Sequence, residues 1–240
     1  GQVNAQAAPE SYDLIIRNGV VYDGSGAAPQ RVDVAIRGDR VVAWLPAGQA
    51  ASSKQTVDAK GQAVAPGFIN VLSWATESLI ADGRGMSDTK QGVTLEIFGE
   101  GWSMGPFNDR MKADAIKQQA DITYPIEWTT LGQYLEYLQK RGVTPNVASF
   151  VGATTVRIHE LGGDDVKPTP GQLARLQDLV RQGLAEGALG VGGSLIYPPA
   201  AFADSDELTA LAKAGAESGG GYIAHMRSEA GRFLGAGVET

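Results

Sequence analysis

The chain changes its hydrophobic period once, near Trp74, and that single change restricts what it can fold into. Before it, short apolar segments alternate with turn residues; after it, helical spacing alternates with short runs of Val, Ile, Phe and Leu. Two-residue periodicity with tight turns builds hairpins, whereas strands separated by amphipathic helices build βα units on a parallel sheet. Upstream, segments 12–16 and 20–22 flank Arg17-Asn18-Gly19, and 32–36 and 41–44 flank Arg37-Gly38-Asp39, which reads as two hairpins. With 56–58 and 63–65 they predict a small antiparallel β-domain.

Downstream, five apolar runs read as strands: 68–72, 93–98, 147–151, 189–195 and 222–225. Between them, Thr130 caps a helix over 131–141 stopped by Gly142, and Thr169-Pro170 opens another that stops at Gly187. Ser205, with Asp206 and Glu207, opens a third that ends near 219–221. The connection 102–128 is longer than a usual loop, holds a helix near 109–119, and is expected to act as a lid or substrate loop. Five strands do not close an eight-stranded barrel, so the chain reads as a truncated one. An open parallel sheet is the alternative, but it does not explain a β-domain feeding straight into the Pro66-Gly67 turn.

Composition limits the chemistry. A net charge of −7 argues against a nucleic-acid footprint, and no apolar run approaches the roughly 20 residues that cross a bilayer. Cysteine is absent, so thiolate metal sites and disulfides are excluded, and His159 and His225 are the only imidazoles. Residues 1–9 have the small-residue character found around signal cleavage sites, and are expected to be the flexible start of an exported, periplasmic or extracellular chain; a cytoplasmic location is the alternative.

Specific motifs then accumulate. Tyr12-Asp13-Leu14-Ile15-Ile16-Arg17-Asn18-Gly19 and Ala65-Pro66-Gly67-Phe68-Ile69-Asn70 resemble the entry to the amidohydrolase superfamily. Gln91-Gly92-Val93-Thr94, Gly99-Glu100-Gly101-Trp102-Ser103, Glu186-Gly187-Ala188-Leu189-Gly190, Leu195-Ile196-Tyr197-Pro198-Pro199 and Ala224-His225-Met226-Arg227-Ser228-Glu229 resemble its N-acyl-D-amino-acid deacylase (D-aminoacylase) branch. Ahead of these motifs, residues 1–11 are expected to be flexible; the resemblance implies a β-sandwich domain over 12–65 and, over 66–240, the N-terminal part of a TIM-like (β/α)8 barrel carrying zinc at its strand ends.

The same resemblance places the candidate site. Strand one of the family normally ends Asp-x-His-x-His, and the matching residues are Asn70, Leu72 and Trp74, so the first metal position has lost both imidazoles. Glu100 stands where the branch usually has a cysteine ligand, and a carboxylate is a sound zinc ligand; a loop acid in an ion pair is its other reading. His225 matches a family metal histidine. The remaining histidine ligand and the general base are expected beyond Thr240. Glu96 shares the strand parity of Glu100, with a structural ion pair as its expected role and a second interior acid as the alternative. His159 is expected in a loop. Tyr197 borders the implied substrate pocket, with packing of the Pro-Pro loop as its other reading, and Arg157 and Arg227 are candidates to hold a carboxylate by their guanidinium forks, with surface ion pairs as the alternative.

The implied function is hydrolysis of the amide bond of N-acyl-D-amino acids or similar small amides with one zinc ion. The alternative is a non-catalytic descendant that keeps the fold for binding or assembly, motivated by Leu72 and Trp74. A small-molecule substrate is the expected partner, with no nucleic acid and no membrane, and a second polypeptide completing the barrel is a further option.

Overall fold

The computed structural model describes residues 11–228. The opening stretch read as a flexible start, Glu229 and the segment after it lie outside the described residues. The protein is mixed α/β and divides into two compact units after Gly67.

The first unit contains β1 (Ser11–Arg17), β2 (Val20–Val21), β3 (Val32–Arg37), β4 (Arg40–Pro46), β5 (Ser52–Asp58) and β6 (Ala63–Val64). Tyr12 and Ile15 from β1 meet Ala35 and Leu45 in its core, although a spacing of three departs from strict two-residue alternation. The hairpin expected at 32–44 forms, with β3 antiparallel to β4. The one expected at 12–22 does not. β1 pairs instead with β3 in antiparallel and β5 in parallel fashion, while β2 pairs in parallel with β6, so the unit is not purely antiparallel. The groups that would close the turn are taken elsewhere: the Asn18 amide donates to Asp33 Oδ1 at 3.2 Å, and the Asn18 carbonyl accepts from Gly61 at 2.7 Å.

The second unit alternates strands and helices: β7 (Phe68–Asn70), α1 (Ser78–Ala81), α2 (Met86–Thr89), β8 (Val93–Phe98), α3 (Asp109–Gln118), α4 (Leu131–Arg141), β9 (Asn146–Ser149), β10 (Val151–Gly152), α5 (Ala153–Leu161), α6 (Pro170–Ala185), β11 (Gly190–Ser194), α7 (Ser205–Ala216) and β12 (Gly221–His225). Sheets β7-β8-β9 and β10-β11-β12 are parallel throughout. β9 and β10 are the expected third strand, interrupted at Phe150, whose amide donates to the Phe98 carbonyl at 2.9 Å.

Helix ends follow side-chain chemistry. Thr130 and Thr169 each accept from the amide three residues on, and Gln133 and Gln172 reach back, completing two capping boxes. The third cap is Asp204, one residue ahead of the expected Ser205, because the Asp204 carboxylate reaches the Glu207 amide at 2.9 Å. The sequence reading missed α5, whose β-branched Thr154, Thr155, Val156 and Ile158 have low helix propensity; burial of its Val156 against the main core outweighs that preference.

Residues 102–128 are anchored in the core at both ends, while most of 109–127 is exposed. Met104, Phe107, Met111 and Trp128 are buried in the main core, the Phe107 amide donates to the Thr129 carbonyl at 2.7 Å, and Trp128 Nε1 donates to the Met104 carbonyl at 2.6 Å.

Candidate metal centre

β8 and β12 are not paired with each other, yet the side chains that follow from their C-terminal ends meet. The reason is backbone without side chains. Gly101, at φ +80°, packs so closely on Ser194 that a Cβ would come within 2.3 Å of the Ser194 Cβ. Its amide donates to the Gly192 carbonyl at 3.1 Å. A Cβ on Gly192 would fall 2.0 Å from the Gly99 carbonyl oxygen, so both β11 and the β8 exit need glycine here. Ser194 is in register with His225 on β12, and the His225 carbonyl accepts from Leu195 at 2.9 Å. Glu100, one residue before Gly101, is thereby carried to the end of β12.

The result is an approach of 3.8 Å between Glu100 Oε1 and His225 Nδ1, with the side chains 13% and 26% exposed. That exceeds a hydrogen bond. Zinc bonds of about 2.0–2.2 Å at the tetrahedral angle set two donors roughly 3.3–3.6 Å apart, so Glu100 and His225 stand a few tenths of an ångström wider than two donors sharing one cation, a gap that a small side-chain rotation closes. The two residues therefore fit two positions of a zinc site. Among the described residues, no group of three or more His, Asp or Glu side chains gathers around a metal position.

Tyr197 stands edge-on to the His225 ring, centroids 5.6 Å apart, with 59% of the residue exposed. Arg227 braces the turn that carries it: Nη1 donates to the Ala201 carbonyl at 2.6 Å and Nη2 to that of Ala203 at 2.8 Å.

Three expectations need correction. Arg157 does not face a substrate; its side chain is 1% exposed on α5, and its guanidinium donates to Glu207 Oε2 on α7 and to the Val166 carbonyl. His159 lies on α5 and not in a loop, with Nδ1 buried and unbonded, and burial holds the imidazole below its ordinary pKa. Glu96 forms no ion pair among the described residues. It is 1% exposed, Oε2 has no hydrogen-bond partner, and burial pushes its carboxyl pKa up, helped by the charge of Asp88 and opposed by the Ser73 hydroxyl. Leu72 and Trp74 are 49% and 59% exposed in this chain. The sequence reading did not find the part played by Gly101 and Gly192; the glycine density over 190–193 was the available signal.

No protein-family model matches the chain. Among curated proteins, a D-aminoacylase of Alcaligenes xylosoxydans xylosoxydans is 30% identical over 240 residues, covering 98% of this chain and 49% of that protein. The chain thus spans about half the length of the curated relatives it matches. Among solved structures, D-aminoacylase, in work on the functional role of its binuclear metal centre with one-metal activation and second-metal attenuation, gives a TM-score of 0.82 at 29% identity, covering 95% of this chain and 48% of the other. N-acyl-D-glutamate deacylase from Bordetella bronchiseptica, complexed with zinc and a phosphonate mimic of the tetrahedral intermediate, also gives 0.82 at 29% identity, over 96% of this chain and 48% of that one.

Proposed function

From a chain whose homologues are D-aminoacylases and N-acyl-D-amino-acid deacylases, we propose that the whole protein is a hydrolase of the amide bond of an N-acyl-D-amino acid or a similar small amide, using one zinc ion. The observation that carries this reading is the 3.8 Å approach of Glu100 to His225 at the strand ends. In the same proposal, residues 12–65 are the β-sandwich domain, and the strands from β7 to β12 are the first five of an eight-stranded barrel, with β9 and β10 counted as one.

Glu100 and His225 would hold the metal, which when bound supplies a Lewis acid for the amide carbonyl. Tyr197, exposed and edge-on to the His225 ring, would orient the substrate amide or carboxylate. Arg227 acts through Tyr197 by fixing the 201–203 turn, because two of its donors are held by carbonyls there. The Glu100 side chain is 13% exposed, and that partial burial would strengthen its attraction for a cation.

The test is metal analysis of the full-length protein purified without chelator, together with a hydrolysis assay on a panel of N-acetyl-D-amino acids. One zinc per chain with deacylation supports the reading; no metal and no hydrolysis refutes it. Exposed Leu72 and Trp74, where the resemblance expects imidazoles, favour a second reading, a non-catalytic binding protein, which the same absence of hydrolysis would support.

A further inference from the structure

Trp74 belongs to a cavity that none of the expected metal chemistry uses. The cavity measures ≈ 290 Å³, and its apolar walls include Trp74, Trp102, Met104, Phe107, Tyr124 and Ile126. The walls are fixed from behind. Tyr124 stacks on buried Trp128 with centroids 6.1 Å apart and planes 9° from parallel, and its hydroxyl donates to Glu77 Oε1 at 2.6 Å. Trp102 leans on Phe107 at 5.6 Å. Trp74 follows the C-terminal end of β7, and Trp102 follows that of the adjacent parallel strand β8, two residues beyond Glu100. The cavity and the candidate ligand Glu100 are therefore built from exits at the same end of the same sheet.

We infer that this cavity is a specificity pocket for an aromatic group of the substrate, with Trp74 as its outer wall. The inference rests on the deacylase reading for the word substrate and on the cavity for the rest. Flat aromatic walls favour a ring, since offset and edge-on ring contacts add to simple burial. The volume is ample, because an apolar cavity of about 150 Å³ already takes benzene. The one carboxylate lining it, Glu77, is engaged by the Tyr124 hydroxyl and Gln119 by the Tyr124 backbone, while Thr76 and Gln118 add polar edges beside the aromatic walls. A position that resembles a metal-ligand site thus selects the substrate's apolar part.

The aromatic group has two sources in such an amide, the acyl half or the amino-acid half, and non-reacting probes separate them. The experiment is titration calorimetry on the full-length protein with phenylacetate against acetate, and with D-phenylalanine against D-alanine, for wild type, Trp74→Ala and Trp74→Phe. Hydrolysis of N-acetyl-D-phenylalanine and N-phenylacetyl-D-alanine is measured in parallel. One aromatic probe should bind about tenfold more tightly than its methyl counterpart in wild type, lose that preference in Trp74→Ala and keep most of it in Trp74→Phe. Which probe does so identifies the half. Equal binding of the aromatic and methyl probes in wild type, or a preference unchanged in Trp74→Ala, overturns the inference even if both amides are hydrolysed. A Trp74-dependent preference without any hydrolysis supports the pocket and refutes the deacylase reading.

Discussion

Arg157 and Glu207, 50 residues apart, form an ion pair of 2.5 Å whose side chains are 1% and 2% exposed. The pair ties α5 to α7, but Arg157 Nε and Glu207 Oε1 remain without partners. Removing one charge leaves the other stranded, so Arg157→Met should destabilise the protein by about 3–5 kcal/mol in urea denaturation. The double variant Arg157→Met/Glu207→Leu should recover most of that loss. An equal or larger loss in the double variant would show that the pair contributes net stability.

Glu96 sets a pH dependence. Its folded-state pKa lies above the ordinary 4.5, chiefly through burial. Whatever stability this gives is complete below the unfolded value and lost as pH rises through the folded value. At a pH above that folded value the wild type carries a buried charge that Glu96→Gln removes, and the variant should there be the more stable one. The gap should close below pH 4.5. Urea midpoints in both pH ranges decide it, and a gap of constant size would remove the electrostatic explanation.

Gly192→Ala would drive a Cβ to 2.0 Å from the Gly99 carbonyl oxygen, which is backbone and cannot swing aside. We expect a loss of about 3 kcal/mol or more, read by denaturant unfolding. Gly163→Ala, where nothing lies within 4 Å, should stay within about 0.5 kcal/mol of wild type.

Thr169 closes the capping box of α6. Thr169→Ala should cost about 1 kcal/mol, and Thr169→Ser should restore most of it, because only the hydroxyl is needed.

At the candidate metal centre, Glu100→Ala and His225→Ala in the full-length protein should each weaken zinc binding by about 100-fold or more, since losing even an outer partner of a ligand costs 10–100-fold. Competition with a chromophoric chelator measures this. Unchanged affinity in either variant would remove that residue from the ligand set.

The fold was most legible where local chemistry and tertiary packing agree. The two threonine-capped helices and β8 stand where period and capping residues put them. The first hairpin failed because Asp33 and Gly61, distant in sequence, claim the backbone groups of Asn18. α5 was missed because its β-branched residues contradict its state until the core is assembled around Val156. At the site, motif resemblance picked out Glu100, His225 and Tyr197, which the fold brings together. Arg157 carried the right chemistry for a carboxylate, but nothing in the sequence marks Glu207 as the partner that buries it.

The segment from Gly101 to Phe107 has no regular secondary structure, yet most of it is buried and three of its amides are bonded to other elements. Gly101 donates to Gly192, Ser103 to the Thr155 hydroxyl and Phe107 to Thr129. These bonds cannot open without parting β11, α5 and the start of α4 from one another. In hydrogen–deuterium exchange, this stretch of coil should therefore exchange as slowly as the strands beside it, and only through the large openings that release them.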